Sequence, residues 1–109
     1  MTEAKVQVDV ELEWVPAAEG LFEGYWSGRF EQFQSVDEDG DEADFEELDQ
    51  PISESDEDFT KLVANVVESI RQQFAGREVV IDWSFYGPPT RREAKSRGIE
   101  LPERTTLSA

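Results

Sequence analysis

Cysteine and histidine are both absent from this chain of 109 residues. Without thiols there is no disulfide, no thiolate metal site and no cysteine nucleophile; without imidazole the commonest metal ligand and general base are missing too. Most enzyme classes fall with them. No catalytic residue, cofactor or metal centre is therefore expected. Positive charge is scarce as well, with 10 Lys and Arg against 26 Asp and Glu, a formal net charge of -16 at pH 7. Such a body repels nucleic acid and anionic membrane, and it meets cationic proteins quickly and in a salt-sensitive way. No run approaches the roughly 18 apolar residues of a membrane span. The opening residues, MTEAKVQVDVELEW, carry neither the basic nor the apolar part of an export signal. A soluble, cytoplasmic protein is expected.

Aromatic residues are present in number. Trp14, Trp26 and Trp83 with seven Phe argue against wholesale disorder, which is aromatic-poor. The length suits one domain that buries between about 60% and 70% of its unfolded surface. Residues 1–89 are expected to form that domain, with an acidic insert at 37–58, and residues 90–109 a basic short helix and tail.

The insert dominates the composition. Asp37 to Asp58 reads DEDGDEADFEELDQPISESDED, with 13 acids in 22 positions and no Lys or Arg, half of the 26 carboxylates in the chain. Like charges a few Å apart repel by about 1 kcal/mol per pair even in water, so the segment opposes compaction unless cations or a basic partner neutralise it. Phe45, Leu48 and Ile52 are its large apolar residues. A short helical turn from Asp44 to Leu48, stopped by Pro51, would tuck the first two against the body; a solvated loop is the alternative.

Around the insert the periodicities are clearer. Val6, Val8, Val10, Leu12 and Trp14 alternate with Gln7, Asp9, Glu11 and Glu13, the signature of a half-buried strand from Lys5 to Val15. Tyr25 to Val36 reads as a second strand in a hairpin with the first. Its phase changes between Phe30 and Phe33, which predicts a bulge there. Phe59, Leu62, Val63, Val66, Val67, Ile70 and Phe74 recur at helical spacing, and Ser55 and Gly76 are read as the caps of a helix of about 20 residues, about 30 Å long. Val79 to Phe85 is apolar on one face and partly so on the other, as suits a central strand. Thr90 and Glu93 read as a capping box and Gly98 as a stop, so Arg91 to Arg97 is a short helix. Together these predict an α+β fold: a small, largely antiparallel sheet of about three strands covered by one long amphipathic helix, with an acidic insert and a short C-terminal helix or tail.

Among candidate sites, Asp37, Asp39 and Asp41 stand at the first, third and fifth places of an EF-hand-like loop, but Gly40 is in the fourth place and Leu48 fills the twelfth, where a bidentate Glu belongs. Paired carboxylates can hydrolyse glycosides, yet nothing marks a pair for a raised pKa. The stronger reading is electrostatic. Asp9, Glu11 and Glu13 with Asp37, Glu38, Asp39, Asp41, Glu42, Asp44, Glu46, Glu47, Asp49, Glu54 and Asp56 would form a carboxylate surface resembling the phosphate array of DNA, which carries about one charge per 1.7 Å of axis. Tyr25 and Trp26 would add aromatic anchors.

The function expected is an inhibitor that occupies the basic surface of a nucleic-acid-binding protein or nuclease, without touching nucleic acid or membrane itself. A phage counter-defence protein acting on a restriction or CRISPR effector, or an antidote to a nuclease toxin, would suit it. The alternative is an acidic adaptor or assembly subunit that binds through the aromatic patch. A solvated linker is the plainest account of the acidic run alone, but residues 1–86 outside the run still hold 10 acids against 5 bases. Adaptation to high salt would spread the acids evenly, and they are clustered.

Overall fold

Strand β1 (Lys5–Val15) is the middle of the molecule. Its alternation buries Val6, Val8, Val10 and Leu12 completely and leaves Asp9, Glu11 and Glu13 exposed. The computed structural model describes residues 5–18, 20, 24–36 and 42–108, with the backbone alone at 31, 42–45 and 49–51. On one side β1 pairs antiparallel with β2 (Tyr25–Val36), which pairs antiparallel with β3 (Glu42–Asp56). On the other side it runs parallel to β4 (Val79–Phe85), which pairs antiparallel with the short β5 (Thr105–Leu107). The order across the sheet is β3-β2-β1-β4-β5.

Two helices share one face of this sheet. Leu62, Val66 and Ile70 of α1 (Phe59–Gln73) and Ala94 of α2 (Gly87–Arg97) join a single core with Val6, Val8, Val10, Leu12, Trp26, Phe30, Val79, Ile81 and Trp83. Trp26 lies near its centre, 5.1 Å from the Trp14 ring and 5.0 Å, edge-on, from Phe59. Each large side chain buried in this way stabilises the fold by about 1.5–3 kcal/mol. The second helix is tied to β1 at Trp14, whose N–H donates to the Thr90 hydroxyl at 3.1 Å while the Arg97 guanidinium lies 4.3 Å from the centroid of its ring.

This architecture corrects the expected fold class. The sheet has five strands rather than about three, and two short helices replace the single long one. The acidic insert supplies much of the difference, because residues 42–56 form β3 instead of a helical turn or loop. In an extended chain neighbouring acids point to opposite faces, and those two apart are separated by about 6.8 Å. Repulsion is thereby weakened, and ladder hydrogen bonds worth about 0.5–1.5 kcal/mol each outweigh it. Leu48 and Ile52, partly buried against the core, add to that gain. Ser55 is consequently a strand residue. The cap of α1 is Asp58, whose carboxylate accepts the Lys61 N–H at 3.1 Å. Pro88 and Pro89 stand in the first turn of α2, as suits residues with no N–H to leave unsatisfied. Thr90 bonds to β1 in place of capping. The last residues also depart from a free tail, since β5 pairs with β4 and Leu107 is buried.

Other local readings match the structure. The register of β1 against β2 shifts between Val8 and Glu11, opposite Phe33 and Arg29, where the phase change predicted a bulge. Gly98 ends α2 with φ +69°. The interior place of β4, between β1 and β5, also agrees.

Candidate functional site

Because both helices lie on one side, no described helix or strand covers the other face of the sheet. Asp9, Glu11 and Glu13 form its central row. Register places Ser27 beside Glu13, Arg29 beside Glu11, Asp82 beside Asp9 and Ser84 beside Glu11. A trough of about 460 Å³ runs over this area, lined by Asp9, Glu11, Arg29, Gln32, Asp82 and Ser84. A second hollow of about 320 Å³ continues it past Glu13, Ser27 and Tyr86.

Asp9 and Asp82 stand in register on adjacent strands, an arrangement that destabilises a sheet when both charges are bare. Here Asp82 is answered by Arg104, whose Nε donates to Oδ1 at 2.7 Å and whose Nη2 donates to Oδ2 at 2.9 Å. The Gln7 amide also donates to Asp82. The bonds from Arg104 hold the Asp82 carboxyl below its ordinary range, against an opposing effect of partial burial. The segment before β5 is thus clamped to β4 and β1. Lys5 adds a second pair, 3.7 Å from Glu78. The helix-free face is therefore acidic along β1 and compensated on its flanks.

The acids of the insert divide between the two faces. Glu47 is on the helix-free face, accepting from the Gln32 amide at 3.4 Å. Glu46, Glu54 and Asp56 stand in register with Phe33, Gly28 and Trp26, which places them on the helix side. There Glu54 accepts from the Ser69 hydroxyl of α1 at 2.6 Å, and Asp56 accepts from the Asp58 N–H at 2.8 Å. Among the acids whose side chains are described, Glu47 thus shares a face with Asp9, Glu11 and Glu13, whereas Glu46, Glu54 and Asp56 lie on the opposite one. Asp37, Glu38, Asp39 and Asp41 lie outside the described residues, and with them the EF-hand-like spacing. Glu42, Asp44 and Asp49 belong to β3, but their side chains lie outside the description.

No protein-family model matches the chain, and no curated protein or solved structure is significantly similar to it.

Of the aromatic anchors, Trp26 is buried, with 1% of its surface exposed, so it is core and not contact surface. Tyr25, in register with Val15, is half-buried. Among the described residues the exposed aromatic is Tyr86, 57% accessible at the end of the trough. Its alternation with Asp82 and Ser84 put it on the wet side of β4, but its relation to Glu13 depended on β4 pairing with β1. Among the described residues no group of three or more acids converges on a metal position, and the one buried polar side chain is Thr90. No helix there is long and apolar enough to cross a membrane. What these surfaces offer is exposed negative charge and acceptors held on a sheet.

Proposed function

We propose that this chain is an inhibitory protein that occupies the basic surface another protein uses to bind nucleic acid. The observation that carries the reading is β3. Its 15 residues include seven acids and no Lys or Arg, held as an edge strand instead of trailing as a loop. Fixed in the ladder, the carboxylates pay little further ordering entropy on binding. Those on one face repeat every 6.8 Å or so, against about 3.4 Å of axis per phosphate along one DNA strand. Counting both faces, seven acids over about 50 Å of strand give one charge per roughly 7 Å, about half the density of the phosphates along one DNA strand. A groove lined with Lys and Arg would accept this edge in place of its polynucleotide, and binding would be competitive. Restriction and CRISPR effectors and nuclease toxins are the partners that fit.

The test begins with capture of partners on the immobilised chain. Each captured protein is then loaded with labelled duplex and titrated with the chain. Release of the duplex, weakened by the double substitution Glu46→Lys and Glu47→Lys, supports the reading. A partner that keeps its nucleic acid at saturating chain contradicts it.

A further inference from the structure

We infer that the outer edge of β3 accepts an extended basic segment of the partner as an additional strand, an inference that rests on the reading above and names how the partner is held. One side of β3 is paired with β2, and among the described residues no strand lies on its other side. A long open edge is a template for another strand. At the opposite edge β5 has only three residues, whereas β3 has 15.

Charge decides the occupant. A second copy of this chain would set acids against acids across the new ladder, which destabilises pairing. A strand rich in Lys and Arg gains from the same row. The edge thus repels itself and attracts a basic partner.

Register narrows the place. Ile52 to Asp56 pairs without a break against Phe30 to Trp26, while the ladder is irregular between Ile52 and Glu47, around Pro51, which has no N–H to donate. The regular strip is five residues, about 17 Å long. Glu54 and Asp56 are on its helix side, beside exposed Glu57 and Asp58; Ser53 and Ser55 are exposed on the other. Ile52 is half-buried, as are Val63 and Val67 of α1. The strand that fits carries Lys or Arg at two alternate positions facing Glu54 and Asp56, an apolar residue beside Ile52, and small polar residues between them.

The probe is a peptide of arginine and threonine in alternation with a valine at one end, made in both chain directions and titrated into the full chain at about 50 mM salt. Two further versions are N-methylated, each at one set of alternate residues, so that charge is kept while donors on one side of the strand are removed. Methylation on the side facing β3 is expected to weaken binding about tenfold or more, and methylation on the far side to leave it unchanged. Amides 52–56 of the chain should shift and gain protection from exchange.

If both methylated peptides bind as tightly as the parent, charge alone holds the peptide; strand addition is then wrong and the electrostatic reading stands. If no version binds at low salt, the basic-partner reading fails with it. Concentration-dependent protection of 52–56 in the chain alone would assign the edge to a second copy and overturn the inference.

Discussion

The Ser69 hydroxyl of α1 donates to the Glu54 carboxylate of β3 at 2.6 Å, on the side of the sheet away from Glu11. That bond helps fasten the acidic strand to the helix layer. Ser69→Ala should lower stability by about 1 kcal/mol in urea denaturation, with the charge of the strand unchanged. Loss of partner affinity well beyond the loss of stability would mean that Ser69 itself belongs to the interface.

At Gly28 the side chains of α1 pack directly against the sheet backbone. A Cβ added there would lie 2.9 Å from Val66 Cγ2 and 3.1 Å from Leu12 Cδ2. Both atoms belong to fully packed side chains that cannot retreat freely. Gly28→Ala is expected to cost about 1–3 kcal/mol, seen as a lower midpoint in chemical denaturation. An unchanged midpoint would show that the helix and sheet can separate at no cost.

The Asp82 clamp sets a pH dependence. Bonds from Arg104 lower the folded-state pKa of Asp82 below its unfolded value, so its contribution is complete above about pH 4. It is lost as pH falls through the lower, folded value. The stability gap between the native chain and Asp82→Asn should therefore be widest near neutrality and should close in strong acid. Thermal unfolding of both across that range checks it, and a gap that grows on acidification would reverse the assigned sign.

Leu107 measures how far the C-terminus belongs to the fold. It is 7% exposed and stands in register with Val79, while Thr105 accepts from the Trp83 indole N–H at 3.1 Å. Leu107→Ala should cost about 2–4 kcal/mol, with a changed Trp fluorescence. A surface-like cost below about 0.5 kcal/mol would restore the tail reading of these residues.

The elements that could be read in the sequence are those whose periodicity carries their own burial. The β1 alternation, the phase change in β2 and the apolar stripe of α1 each state locally which side faces the core. Strand β3 does not, because its pattern is written in charge, and its pairing depends on the open edge of β2 far away in the chain. The same holds for β5, three residues whose stability comes from Val79 and Trp83. The site followed suit. Asp9, Glu11 and Glu13 were legible as one row, whereas Tyr86 and the Asp82–Arg104 clamp needed the parallel pairing of β1 and β4. Hydrophobicity alone gave no reason to choose Tyr86 over Trp26.

The most direct test of the central claim is the affinity of a captured basic partner for the chain as a function of salt. If the acidic edge stands in for a polynucleotide, affinity should fall about tenfold or more between roughly 50 and 200 mM salt, and Glu46→Lys with Glu47→Lys should flatten that slope. An affinity that holds steady across the range, in both proteins, would contradict the account.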